Sequence, residues 1–255
     1  MKNPFDFTGA TALVVGGATG LGQAMAEGLA AHGATVCIVS RSEDKARAAA
    51  QTIATKTDGN CSSLAADVSD EASVKRLAVN LDRWFDGGLN IAVNAAGINV
   101  RNAIEKISLA EFESIQRVNV TGAFLLAREL FPLLRHGRWG RLINVTSIFS
   151  SRSFPLRTSY ASSKGALLQL TRTLAIEWAA HHITVNAISP GPILTDMTRP
   201  ILDNPEAYAQ FVANVPLGRF GEPHEVVPAC LFLASPASSF VTGADIVVDG
   251  GWMAT

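Results

Sequence analysis

The sequence predicts a three-layer α/β fold: a doubly wound, parallel seven-stranded sheet with helices on both faces. Three observations lead there. Short apolar runs alternate with segments of helical period along the whole chain. A glycine-rich stretch joins the first run to the first helical segment. No linker, repeat or low-complexity segment interrupts the pattern, so residues 1–255 read as one domain.

The strands come first. "TALVVG" (11–16), "TVCIVS" (35–40), "LNIAVNA" (89–95), "RLINVT" (141–146), "ITVNAI" (183–188) and "ADIVVD" (244–249) are nearly continuous apolar runs, as parallel strands covered on both faces require. "CSSLAAD" (61–67) is a weaker seventh. Between them, Leu21, Met25 and Leu29 share one helical face, as do Val74, Leu77, Ala78 and Leu81. The longest helical stretches are 108–135 and 159–180; the second is apolar over much of its circumference (Leu167, Leu168, Leu170, Leu174, Ile176, Trp178), which predicts burial, in part by another subunit. Residues 191–222 are a proline-rich excursion with a short helix near 203–213 and no strand, placed as a lid over a site.

Composition narrows the function. Of 255 residues, 48% are apolar and 17% charged, and the net charge is −1, so nothing points to nucleic acid or an anionic membrane. No apolar stretch is long enough to span a bilayer, and the N-terminus lacks the pattern of a secretory signal. Cys37, Cys61 and Cys230 are widely spaced and odd in number, which predicts free thiols in a reducing cytoplasm. The five histidines do not gather; His181 and His182 suit a helix end, and no metal site is expected.

The glycine loop "VVGGATGLG" supplies the chemistry's first half. Gly16, Gly20 and Gly22 permit a tight turn and a close approach of backbone to phosphate, while the adjoining helix offers free N–H groups to an anion. This placement predicts a dinucleotide site. At the end of the second strand stand Ser40 and Arg41 instead of an acid, so NADP is favoured over NAD: arginine pairs with a 2′-phosphate that a carboxylate would repel.

The second half is "SYASSK" (159–164). Tyr160 and Lys164 lie one helical turn apart. A phenol has an ordinary pKa of about 10 and is a weak base at neutrality. A nearby ammonium lowers that pKa and makes the pair a general acid/base.

Together these residues resemble the short-chain dehydrogenase/reductase family along essentially the whole chain. The matching segments, in order, are "GGATGLG" (16–22), "ADV" (66–68), "NAAG" (94–97), "VNVTG" (118–122), "INVTS" (143–147), "YASSK" (160–164), "SPGPILTD" (189–196) and "VDGGW" (248–252). Val15 stands where the family has threonine, Ala95 where it has a second asparagine, and Thr19 where its NADP users often carry a second basic residue. The resemblance implies a Rossmann-type fold and catalytic residues Asn119, Ser147, Tyr160 and Lys164. Ser147 would orient the substrate oxygen, Lys164 would also hold the nicotinamide ribose, and Asn119 would hold a water leading to solvent. It implies cofactor contacts from Gly16, Thr19, Gly20, Leu21, Gly22, Ser40, Arg41, Asp67, Val68, Asn94, Ala95, Gly97, Tyr160, Lys164, Pro190, Gly191, Ile193 and Thr195. It also implies a homotetramer.

Arg101, Arg152 and Arg157 come after the fourth and fifth strands on the ligand side of the sheet, where one could grip a substrate carboxylate. Phe149, Pro192 and Trp252 are candidate pocket walls, and Phe154 a further one. Within the family, "AAGINVRNAI" and "DGGWMAT" look most like sugar-acid dehydrogenases, which interconvert a secondary alcohol and a ketone. A 3-oxoacyl-acyl-carrier-protein reductase shares the same motifs. A non-catalytic nucleotide-sensing scaffold would predict decay of the Ser-Tyr-Lys set, which here is intact.

Overall fold

The computed structural model describes residues 3–86, 88–137 and 139–255. Seven parallel strands form one sheet in the order β3-β2-β1-β4-β5-β6-β7. They are β1 (Thr11–Val15), β2 (Thr35–Ser40), β3 (Cys61–Ala65), β4 (Ile91–Asn94), β5 (Gly140–Val145), β6 (Ile183–Pro190) and β7 (Asp245–Val248). All seven apolar runs are therefore strands. The order reverses between β1 and β4, which opens a crevice at the carboxyl ends of the strands. Register keeps those ends level, with Val15 opposite Asn94 and Asn94 opposite Asn144.

Two apolar layers sandwich the sheet. On one face, Met25 and Leu29 of α1 (Gly20–Ala31) and Ala49 and Ile53 of α2 (Glu43–Thr57) pack over Val14, Val36 and Ile38. On the other, Val74, Leu77 and Leu81 of α3 (Glu71–Trp84) meet Leu13, Val39 and Ala92.

The helical stretch expected over 108–135 is present, from Leu109 to His136, with a π turn in its middle. It consists of α4 (Leu109–Gln116), a π-helical turn over Arg117–Thr121, and α5 (Gly122–His136). The extra residue in a π turn rotates the helix beyond it, and here the turn carries the fully buried Asn119. By contrast, α6 (Thr158–Trp178) is α-helical for all of its 21 residues. It buries Leu167, Leu168, Leu174 and Trp178 but leaves Ile176 80% exposed, so the sheet covers only part of its apolar circumference.

The excursion after β6 is more ordered than its sequence suggests. It holds α7 (Arg199–Leu202) and α8 (Pro205–Val212), the two separated by a turn in which Asn204 caps α8. Ile193 and Gly221 form an isolated parallel bridge that closes its base. Its own apolar cluster joins Ile201, Phe211, Val215 and Phe220 to Ile148, Phe149 and Trp252. Helix α9 (Val227–Ala234) returns the chain to the first face.

Ile38 packs between this core and the glycine loop. It is fully buried, and a side chain at Gly17 would stand 2.9 Å from its Cβ. Ile38→Ala should lower unfolding stability by about 2–5 kcal/mol, measured by urea denaturation, while Ile38→Val should cost about 0.5–1.5 kcal/mol.

Candidate active site

The crevice deepens into a cavity of about 450 Å³ that runs from the β1–α1 loop to the excursion. At one end the backbone sets its shape. Gly16 has φ +80°, and a Cβ there would lie 2.9 Å from the Ala95 backbone. A Cβ on Gly22 would run into the Gly16 carbonyl. Only glycine lets loop and helix close this tightly, and the resulting cradle at the start of α1 fits a phosphate-bearing ligand. Asn99 Oδ1 is a buried oxygen without a hydrogen-bond partner, and Asn99 lines the same cavity, where a ligand could satisfy the group.

The rim near β2 is basic. Arg41 is exposed and borders the cavity beside Ser40, whose hydroxyl donates to the Ser42 carbonyl and accepts from the Ser42 amide. Lys45, one turn into α2, joins them. Across the groove, the Ser69 hydroxyl and amide donate to Asp67 Oδ1 at 2.7 and 2.9 Å. The Ser69 hydroxyl chiefly, helped by the Arg41 charge, holds the Asp67 carboxyl below its ordinary pKa.

At the other end, β5 runs into Ser147, and α6 presents Tyr160 and Lys164 to the same wall. Ser147 is buried, and its Oγ accepts from the Phe149 amide at 3.2 Å, which fixes the hydroxyl in a short helical turn. Lys164 Nζ donates to the Val145 carbonyl at 2.7 Å and lies 5.7 Å from the Tyr160 ring centroid. Burial pushes the Lys164 ammonium down to about 8. Burial also raises the Tyr160 phenol above its ordinary value. Its opponents there are a hydrogen bond with Ser147 and the charges of Arg157 and Arg101. The phenol is therefore raised, where the sequence predicts that Lys164 lowers it: desolvation outweighs the Ser147 hydrogen bond and the charges of Arg157 and Arg101.

Asn119 stands behind this wall, not in it. Its Nδ2 donates to the Ile98 carbonyl and to Ser163 Oγ, while its Oδ1 accepts from the Ile98 amide at 2.9 Å. A Cβ on Gly97 would meet both Lys164 Nζ, at 3.3 Å, and Asn119 Oδ1, at 3.4 Å. The missing side chain thus keeps a small gap between the ammonium and the amide.

The remaining expectations divide. Thr19, Gly20, Leu21, Val68, Ala95, Pro190, Gly191, Ile193 and Thr195 all border the cavity. Asn94 does not: it donates to Asn144 Oδ1 at 3.2 Å and faces a separate small void, because its place in β4 turns the side chain away from the crevice. Of the substrate candidates, Arg101, Phe149, Arg157 and Pro192 line the cavity. Arg152 is exposed and donates to the Trp252 carbonyl at 3.1 Å, and Trp252 is packed behind the wall against Phe149, Phe154 and Phe211. Lys45, Asn99, Phe211 and Met197 border the cavity without having been anticipated. Lys45 alone had a sequence signal, as a cation one helical turn beyond Arg41. Among the described residues, no three His, Cys, Asp or Glu side chains gather as metal ligands, and no helix is long and apolar enough to cross a membrane.

Residues 16–253 match the family described as enoyl-(acyl carrier protein) reductase. The chain is 38% identical over 255 residues to the rhamnolipids biosynthesis 3-oxoacyl-(acyl-carrier-protein) reductase of Pseudomonas aeruginosa, covering 97% of this chain and 98% of that protein. It is 37% identical over 246 residues to a glucose 1-dehydrogenase of Gluconobacter oxydans, covering 96% and 92%. Among solved structures it resembles a gluconate 5-dehydrogenase from Burkholderia cenocepacia in complex with NADP and tartrate. There the TM-score is 0.94 and the identity 31%, over 99% of this chain and 98% of that one.

The cradle makes a direct prediction. Gly22→Ala should force the loop open, lower the melting temperature by several degrees, and abolish the thermal shift produced by a nicotinamide dinucleotide. Overpacking of this kind costs about 1–3 kcal/mol, and about 2–4 °C accompany each kcal/mol in a chain of this size.

Proposed function

Because the chain belongs to the short-chain dehydrogenase/reductase family, we propose that it is an NADP-dependent oxidoreductase interconverting a secondary alcohol and a ketone on a sugar acid or polyol. The observation that carries this reading is the meeting of Ser147, Tyr160 and Lys164 on one wall of the cavity that begins at the glycine cradle. A bound nicotinamide dinucleotide supplies or accepts the hydride.

The protein's own residues handle the proton. Ser147 Oγ, held by the Phe149 amide, orients the substrate oxygen. Tyr160 donates a proton to that oxygen in reduction and removes it in oxidation. Lys164, anchored on Val145 and 5.7 Å from the Tyr160 ring, is placed to hold the nicotinamide ribose beside the phenol. Asn119 stands beside the gap at Gly97, in position to hold a water between Lys164 and solvent. Arg41 is the proposed partner of the cofactor's 2′-phosphate, with Lys45 as a second cation. NADP in the Burkholderia structure supports this preference. We extend the reading to a homotetramer in the cytoplasm: Phe124 of α5 and Ile176 of α6 leave apolar surface exposed for a second subunit.

The Pseudomonas relative favours a second reading, reduction of a 3-oxoacyl thioester. The test is a substrate panel of keto sugar acids, neutral ketoses and an acetoacetyl thioester. Turnover only on the thioester would overturn the sugar reading. Tyr160→Phe should reduce turnover by roughly 10²–10⁴-fold and change cofactor affinity less than about threefold. Retained activity would overturn the mechanism. The pH dependence has opposite signs in the two directions. Oxidation needs the phenolate, so its kcat/KM rises with pH; reduction needs the phenol, so its kcat/KM falls as Tyr160 ionises. Arg41→Ala should weaken NADPH binding by about tenfold or more, as loss of a charge-assisted hydrogen bond does, and leave NADH binding nearly unchanged.

A further inference from the structure

Arg157 occupies an unusual position for an arginine. It lines the cavity, yet it is only 5% exposed. Among the described residues it forms no ion pair; its Nη1 donates to the neighbouring Leu156 carbonyl at 3.1 Å. Its Cζ lies 5.9 Å from the Phe149 ring centroid and 5.6 Å from that of Phe211. Stacking on aromatic faces suits a guanidinium but does not neutralise it. The residue before it, Leu156, has φ +63°, in the left-handed region where side chains other than glycine are strained, and is itself half exposed. The turn leaves an apolar leucine toward solvent and takes the charged neighbour inward.

Arg101 adds a second charge to the same place. It is half buried, donates from Nη2 to the Met197 carbonyl at 2.8 Å, and likewise forms no ion pair among the described residues. The two guanidiniums repel each other, and both act on the Tyr160 phenol. Two uncompensated cations in a partly desolvated cavity are unfavourable unless an anion joins them.

We propose that Arg157 and Arg101 form a carboxylate site, holding the acid group of a hydroxy-acid or keto-acid substrate whose reacting carbon lies at Ser147 and Tyr160. The proposal rests on the reaction assigned above and names its substrate class. The Arg157 guanidinium is held over the Phe149 and Phe211 rings in the cavity wall, and the N–H fork of a guanidinium matches the two oxygens of a carboxylate. Arg157, Arg101, Ser147 and Tyr160 line one cavity, so the acid group and the reacting oxygen belong to one small molecule. An acyl thioester brings no such group and would leave both arginines uncompensated.

The test compares D-gluconate with D-glucitol, which differs from it by a neutral hydroxymethyl in place of the carboxylate. Binding of each to the enzyme saturated with NADP+ is measured by titration calorimetry, and turnover of each is recorded in parallel. Gluconate should bind at least tenfold more tightly than glucitol. Arg157→Gln should remove that advantage, moving gluconate affinity at least tenfold and glucitol affinity less than threefold. Arg157→Lys should recover part of the loss, since it keeps the charge without the fork. Arg101→Gln, at a half-exposed position that does not threaten folding, should weaken gluconate severalfold. A wild-type enzyme that prefers glucitol, binds both equally or binds neither overturns the carboxylate site, as does an Arg157→Gln that weakens both ligands alike. A phosphate monoester that outcompetes gluconate in an Arg157-dependent manner assigns the site to phosphate and also overturns it. The reaction class fails separately: gluconate bound through Arg157 with no alcohol or ketone in the panel turned over would leave the site and remove the dehydrogenase reading.

Discussion

A buried ammonium donating to a strand carbonyl organises the active end of this molecule. The Lys164–Val145 hydrogen bond, at 2.7 Å, ties the longest helix to the last residue of β5. Once it forms, Tyr160 one turn earlier is committed to the wall that Ser147 begins, two residues beyond Val145. The rest of the fold serves this alignment. The sheet reverses order between β1 and β4, so its level carboxyl ends open a crevice, and the glycine cradle and the Ser-Tyr-Lys wall become two ends of one cavity.

Electrostatics then shape the chemistry. Burial disfavours the charged forms of both Tyr160 and Lys164: it raises the phenol and pushes the ammonium down to about 8. At the phenol, cations oppose that effect. Arg157 and Arg101 draw it toward its anion, and Arg157, itself lowered to about 10 by burial, lacks a carboxylate partner among the described residues. The free protein thus holds positive charge without a carboxylate partner, among the described residues, beside the Tyr160 phenol. In that environment an anionic ligand is bound more strongly than it would be on the surface.

Much of this was legible in the sequence, and for local reasons. Apolar runs report strands directly, so all seven were readable, including the weak "CSSLAAD", although the edge strands β3 and β7 are only partly covered. Glycines at a strand-to-helix turn and a Tyr/Lys pair at helical spacing carry their geometry in their order along the chain. The unreadable parts depend on tertiary context. The π turn that buries Asn119 leaves the polar and apolar pattern of 108–135 unchanged. Asn94 and Gly97 lie three residues apart, but the pleat turns one away from the cavity and leaves the other against Lys164. Trp252, expected as a pocket wall, packs instead into the aromatic cluster beneath the excursion, and Arg152, expected as a candidate carboxylate grip, donates to the Trp252 carbonyl. Desolvation of Tyr160 could not be read at all, because burial of a phenol is a property of the assembled cavity.

The central claim is that burial raises the Tyr160 phenol and that the nearby arginines, Arg157 first, oppose that rise. The chain has two tyrosines, Tyr160 and Tyr208, so a Tyr208→Phe background leaves one phenol to observe. Its phenolate absorbance should be titrated against pH in that background, with Arg157 intact and with Arg157→Gln added. In the free protein the phenol should titrate above the ordinary value of about 10, and removing the guanidinium should raise it further. A phenol already ionised near neutrality, or one indifferent to Arg157, would contradict the account.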